Sequence, residues 1–315
     1  MAITVPFAAS SVGSYWYEAG HRLRLGLLPR GYDLVLNTRV PDTENAMSVG
    51  RGDSAIGVTA ETFLAWAQGR VGPYAGCDLR ELCVITALNN AQWIAAAVDR
   101  SSGITRLREI AERRYPWKTV LPLAHHATTV YVDRLLELHG ITRDKITEWG
   151  GSIFHPQDTS PRTEGPGEPW IMRSVTRQLA EQHLADGFMN YTRWTNVWAR
   201  DLTTLLDLRF IAFDEAAVRQ VHAELGGHIV TLPAQMYRGL EDDITTIGWR
   251  YDYIYGPPDT PAELVSAILD VLEDEAFLQN AVAYSYSGRP ASLPPGLRYH
   301  AVAAERLARA ELAGT

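Results

Sequence analysis

Apolar residues along this chain fall into short β-branched runs that alternate with stretches of helical period. Residues 3–7 read as a strand, followed by a Ser/Gly turn and a helix over 17–28. The pattern then predicts a strand at 33–37, a short helix at 43–49 ended by Gly50 and Gly52, a strand at 55–58 and a helix at 61–68. Two further strands are expected at 81–88 and 93–98. A second series predicts a helix at 104–113, a strand at 119–123, helices at 128–139 and 174–185, and a strand at 187–191. It closes with a helix at 196–204, a strand at 208–212 and a helix at 214–225. Near the tail, Thr260-Pro261-Ala262-Glu263 reads as a capping box that opens a helix to about Asp274. Alternation of this kind implies an α/β fold with mainly parallel sheets flanked by helices.

Residues 121–140, LPLAHHATTVYVDRLLELHG, show the strand-to-helix step most plainly. A buried strand ends, an amphipathic helix begins, and His125 and His126 stand at the junction, where bare N–H groups favour an anion. Residues 150–169 are rich in Gly, Pro, Ser and Thr and read as a long loop, a kind that tends to be functional or mobile.

The 315 residues suffice for two lobes, and 46% hydrophobic with 21% charged is an ordinary globular mix. A net charge of −8 with scattered Arg and Lys argues against nucleic acid as a partner. Cys77 and Cys83 are too few for a disulfide framework or a zinc site and read as free thiols. No apolar run approaches the ~20 residues of a membrane span. The first residues, MAITVPFAASSVG, lack the basic and apolar regions of a signal peptide. The expectation is a cytoplasmic protein, or a periplasmic one if this is a mature form. There is no GxxxxGK[ST], no GxGxxG after the first strand and no GxSxG, so no cofactor and no metal are expected.

Four segments carry a family resemblance. TENAMSVGRGDSAIGVTAETFLAWAQG, 43–69, resembles the TAXI family, the solute-binding subunits of TRAP transporters, in Glu44-Asn45 at a helix start and Gly52-Asp53-Ser54-Ala55 before the next strand. SSVGSYWYEAG, 10–20, is similar to that family's Gly-Gly-x-Tyr turn, with Ser in place of one Gly. LPAQMY and DDITTIGWRYDYIY, within 232–255, are similar to its Pro-Ala-Gly-x-Tyr stretch and the crossover strand that follows. Residues 293–306 more weakly resemble its Pro-x-His-x-Gly-Ala segment. The resemblance implies a two-lobed, type II periplasmic-binding-protein-like fold with a ligand cleft between the lobes. Lobe one is expected at 1–96 plus 247–315 and lobe two at 97–246. It implies a small organic acid as ligand, and membrane transporter subunits as partners if the chain is exported.

In such sheets a ligand lies past the carboxyl ends of strands, against helix starts. The candidates are therefore Ser10, Ser11, Gly13, Ser14 and Tyr15 after the first strand, then Thr43, Glu44 and Asn45 after the second. Thr59 follows the third, His125 and His126 follow the strand at 119–123, and Asn190 and Tyr191 follow the strand at 187–191. Tyr237 lies near the return crossover. Hydroxyls, amides and helix starts suit a carboxylate, while for Ser10, Ser14, Thr43 and Thr59 taken singly helix capping is the stronger reading. The resemblance favours Tyr15 as a ligand residue.

Adjacent residues at a helix start point roughly 100° apart, so His125 and His126 are poorly placed to share one metal. Packing, ligand hydrogen bonding and proton transfer are all open to them. The family carries small residues at that position, and related folds host decarboxylases. Two functions follow: a binding protein that captures a small organic carboxylate, or a cytoplasmic enzyme of the lyase or decarboxylase kind with His125 or His126 as proton shuttle.

Overall fold

The computed structural model describes residues 2–10, 14–39, 43–122, 126–155, 178–193, 197–274 and 292–313. The chain forms two compact units, Met1–Asn90 with Arg250–Thr315 (unit 1) and Ala91–Trp249 (unit 2). It passes between them twice, each time inside a strand.

Unit 1 is built on β1 (Ile3–Ser10), β2 (Tyr32–Arg39) and β3 (Ile56–Ala60), with β2 and β3 each parallel to β1. Every residue of β3 is buried, as a strand covered on both faces requires. The second half of β10 (Ile244–Gly256) runs antiparallel to β3, pairing Tyr253 with Thr59 and Tyr255 with Gly57. The β1–β2 connection is α1 (Tyr15–Leu27), which buries Trp16, Ala19, Gly20, Leu23 and Leu27 at helical spacing. Next come α2 (Thr43–Arg51), between β2 and β3, and α3 (Glu61–Gly69) after β3. Unit 1 is completed by two later helices, Ala262–Glu273 and Ala301–Ala313, which contact each other; the first also packs on α1.

Unit 2 is more mixed. Here β5 (Lys118–Val120) runs parallel to β6 (Ser152–Phe154) and to β7 (Gly187–Thr192). The second half of β4 (Cys83–Asp99) is antiparallel to β7 and to β8 (Leu208–Phe210). The first half of β10 is antiparallel to β9 (His228–Leu232). The helices of this unit are α4 (Arg108–Glu112), α5 (Ala127–Leu138), α6 (Arg143–Glu148), α7 (Val197–Leu205) and α8 (Glu215–Leu225). The two helices that complete unit 1 are then α9 (Ala262–Glu273) and α10 (Ala301–Ala313). The fold class is thus α/β, as the alternation predicts, with the antiparallel pairs supplied largely by the two long crossing strands.

Two expectations need correction. The strands expected at 81–88 and 93–98 are one strand, Cys83–Asp99. The polar run Asn89-Asn90-Ala91-Gln92 looks like a turn, yet Asn90 and Gln92 are buried, and the Asn90 amide donates to Asp252 Oδ2 at 2.5 Å. The partner that makes this polar stretch tolerable lies on β10, far along the chain. The second correction concerns Thr260. Its hydroxyl donates to the Pro257 carbonyl at 2.7 Å, and α9 begins at Ala262 behind Pro261 with no side-chain cap. Of the helix expected at 174–185, residues 174–177 lie outside the described residues, 178–181 are helical and 182–185 are not; most of the loop at 150–169 lies outside the described residues.

Candidate ligand-binding site

In unit 1 the sequence candidates converge on the carboxyl ends of β1 and β3. Ser10 closes β1, level with Arg39 of β2. Continuing the Ala8↔Gly57 register by two residues sets Ser10 level with Thr59. Asn45, in the first turn of α2, donates its amide N–H to the Val58 carbonyl at 3.1 Å, which ties α2 to the residue before Thr59. That bond fixes the amide's orientation, so Oδ1 is the atom left over. Asn45 Oδ1 and Thr59 Oγ1 are both buried and have no hydrogen-bond partner among the described residues. Thr43 is buried at the start of α2 and Glu44 follows it, half-buried. Tyr15 begins α1, half-buried.

Ser14 is the N-cap of α1: its Oγ accepts the Tyr17 N–H at 3.1 Å. Ser14→Ala should therefore lower stability by about 1 kcal/mol, read as a shift in the denaturation midpoint. An unchanged midpoint would assign the hydroxyl a role other than capping.

One residue stands out that the spacing of polar positions does not mark. Glu61, the first residue of α3, is 3% exposed, and its Oε1 accepts the Arg250 N–H at 2.7 Å. Burial pushes the Tyr253 hydroxyl well above the usual tyrosine range, with the Glu61 charge adding to it, so Tyr253 stays a protonated donor beside Thr59. A buried glutamate in a helix first turn is visible in the sequence only as a good helix starter.

In unit 2 the parallel pair β5 and β7 leads to a second set. His126 is the N-cap residue of α5 and makes no side-chain cap; its ring stacks on Tyr191 at 6.1 Å and 10°. Asn190 Oδ1 accepts the Tyr191 N–H at 2.8 Å. The Tyr237 hydroxyl accepts from Thr192 Oγ1 at 2.6 Å and donates to the Arg193 carbonyl, so it pins the end of β7. Burial raises its pKa, outweighing the opposite pull of those two bonds and of the Arg193 and Arg200 charges. The Leu121 carbonyl lies 3.0 Å from His155 Nδ1, which fastens the end of β5. Arg193, directly after β7, is a cation that the hydroxyl-and-amide pattern passes over. Ser11, Gly13 and His125 lie outside the described residues.

Each unit thus presents parallel strand ends beside helix starts, with polar groups gathered there. That is the geometry with which open α/β sheets hold small anions. Among the described residues no three His, Cys, Asp or Glu side chains gather where a metal ion could sit. No helix among them is long and apolar enough to cross a membrane.

No protein-family model and no curated protein matches the sequence. Solved structures do match in fold. A protein of Bordetella bronchiseptica RB50 superposes with a TM-score of 0.51 at 11% identity, covering 98% of each chain. MatC from Rhodopseudomonas palustris, solved with bound malate, gives 0.51 at 9% identity over 99% of this chain and 98% of that one. The periplasmic aliphatic sulphonate binding protein SsuA from Escherichia coli gives 0.46 at 12% identity, over 89% of this chain and 72% of that one. At such identities the likeness is one of fold. The chain shares an α/β fold with the Bordetella protein and with MatC.

Proposed function

We propose that this chain is a solute-binding protein of the TAXI type that captures a small organic carboxylate. The observation that carries the reading is the convergence in unit 1 of Ser10, Asn45 and Thr59 at parallel strand ends, with Asn45 Oδ1 and Thr59 Oγ1 buried and unpartnered. Buried polar atoms without partners cost about 1–3 kcal/mol each, and a ligand bearing both acceptors and donors removes that cost. The Thr59 hydroxyl suits a carboxylate oxygen, while Asn45 Oδ1 suits a hydroxyl or amine on the same molecule. The four sequence segments at 10–20, 43–69, 232–255 and 293–306 support the TAXI assignment, and the fold shared with malate-bound MatC supports small-molecule binding.

The test is a thermal-shift series with L-malate, succinate, 2-oxoglutarate, L-lactate and citrate, together with native mass spectrometry of the purified chain. A binder at a hundredfold excess over its Kd stabilises the folded state by about 2.7 kcal/mol, which is a rise of several degrees in Tm. A flat response to all five acids, with no carboxylate retained in the mass spectrum, would overturn the proposal.

A further inference from the structure

In unit 2 the end of α5 is held by an imidazole whose two nitrogens are both committed. His139 follows the last residue of α5, and its side chain is wholly out of solvent. Nδ1 lies 2.7 Å from the Leu135 carbonyl, one turn back on the same helix, and Nε2 accepts the Asp214 N–H at 3.0 Å. Asp214 is the N-cap residue of α8, and its own side chain makes no cap there. A carbonyl only accepts and a backbone N–H only donates, so the partners dictate where the proton sits. It is on Nδ1, with the Nε2 lone pair turned to Asp214.

The charged groups facing the ring come from two other elements. At the start of α8, Asp214 Oδ2 is 3.9 Å from Nε2. The same oxygen takes Arg108 of α4, whose Nε lies 2.8 Å away and whose Nη2 also contacts it. Phe213 meets the ring edge-on at 6.3 Å and brings no charge. Burial pushes His139 below its ordinary 6.5; the Leu135 carbonyl and the Asp214 carboxylate pull it up, and Arg108 pushes it further down. A second proton on Nε2 would set N–H against N–H, so an imidazolium and the Asp214 tie exclude each other. Elsewhere α5 and α8 are joined by the Tyr131 hydroxyl on the Leu225 carbonyl at 2.9 Å and by Arg134 on Glu224 at 2.7 Å. That ion pair keeps its charges in mild acid, since Arg134 holds Glu224 down to about 2.

We propose that His139 is a proton-operated latch: neutral, it fastens the end of α5 to the start of α8, and protonated at Nε2 it releases the Asp214 N–H and turns to the Asp214 carboxylate. Arg108 competes with the imidazolium for Oδ2, so it sets how acidic the solution must be before the latch opens. The sign follows from which form holds the proton. The open form, with its ring in water, takes up a proton at 6.5, and the closed form resists it. The closed latch is therefore fully favoured above pH 6.5 and loses ground as pH falls below it. The latch does not depend on what the chain binds. It sits at the opposite end of α5 from His126 and its stack on Tyr191.

The experiment is nuclear magnetic resonance on the full chain, from pH 7.5 to pH 4.5. Long-range proton–nitrogen spectra of histidine-labelled protein read the tautomer of His139. Hydrogen exchange of the Asp214 amide, corrected for the intrinsic rate at each pH and referred to the buried Ile94 of β4, reads the tie. His139 should carry its proton on Nδ1 at pH 7.5, and Asp214 protection relative to Ile94 should fall severalfold as the pH drops to 4.5. His139→Gln offers the Asp214 N–H an amide oxygen that cannot ionise, so it should flatten that fall. Arg108→Gln leaves Oδ2 to the imidazolium and should move the His139 titration to higher pH. A proton on Nε2 at pH 7.5, or Asp214 protection that stays flat down to pH 4.5, overturns the latch. A His139 titration unmoved in Arg108→Gln overturns the competition for Oδ2. If His139→Gln does not fold, the wild-type tautomer, the wild-type exchange series and the Arg108→Gln titration still decide.

Discussion

Gly187→Ala is expected to destabilise the chain by about 3 kcal/mol or more, well beyond an ordinary surface substitution. A Cβ at this position would lie 2.3 Å from the Ala97 carbonyl oxygen and 2.3 Å from Trp117 Nε1. Neither obstacle is free to retreat. Ala97 sits in β4, paired with β7 on one side and β8 on the other. Trp117 is among the largest fully buried side chains of the molecule. The consequence reaches the candidate site, because Gly187 begins the strand that ends in Asn190, Tyr191 and Thr192. Displacing its start shifts the register against β5, where Thr119 pairs with Gly187. The measurement is the urea midpoint of Gly187→Ala, alone and combined with Trp117→Phe. The double variant should recover part of the loss, since Phe removes Nε1 while the Ala97 oxygen stays. A midpoint equal to wild type for the single variant would show that β7 does not start as closely packed as described.

Much of the architecture is legible from periodicity because local chemistry and tertiary burial agree there. Residues of α1 recur at helical spacing and bury the face that the spacing marks. β3 is an apolar run bounded by polar residues and is buried throughout. The failures have distinct physical origins, of which a partner remote in sequence is the first. Asn89-Asn90 reads as a break in β4 because nothing nearby shows that Asp252 will receive the amide. Thr260 has the spacing of a cap, but the Pro257 carbonyl competes for its hydroxyl and wins. β6 and β9 are short and only partly buried, so their patterns fall below what alternation reveals. At the strand ends, Ser10, Asn45 and Thr59 are legible as a type: small polar residues just past apolar runs. That Asn45 Oδ1 and Thr59 Oγ1 stay unpartnered is not, because it depends on the Val58 carbonyl taking the other half of the amide.

Unfolding measured from pH 7.5 down to pH 4 should reveal a carboxylate that opposes folding when ionised. Asp186 stands where β5 and β7 begin. Its N–H donates to the Lys118 carbonyl at 2.8 Å, and its Oδ1 accepts the Lys118 N–H at 2.9 Å, so the side chain replaces a missing ladder bond. The Tyr115 hydroxyl lies 3.3 Å from Oδ2. Burial pushes the Asp186 carboxyl from 3.8 up to about 6, and the hydrogen bonds from Lys118 and Tyr115 recover only part of that. Burial, reinforced by the Asp186 charge, also drives Tyr115 above the usual tyrosine range, so its hydroxyl remains a donor. The sign follows from which state holds the proton. Between pH 3.8 and 6 the folded chain keeps a proton that the unfolded chain releases, so stability from this group falls as pH rises through that window. Above pH 6 the full cost persists, at most about 3 kcal/mol and nearer 2 once partial solvent contact is allowed for. Asp186→Asn keeps an oxygen for the Lys118 N–H and cannot ionise. It should be more stable than wild type by roughly 2 kcal/mol at pH 7.5, an advantage that shrinks toward zero by pH 4. The exposed Arg134–Glu224 pair, in which Arg134 holds Glu224 down to about 2, is untouched in both proteins and cancels from the difference. A wild-type-to-variant gap that is the same at both pH values would mean that Asp186 is not held in a dry environment at the start of β7.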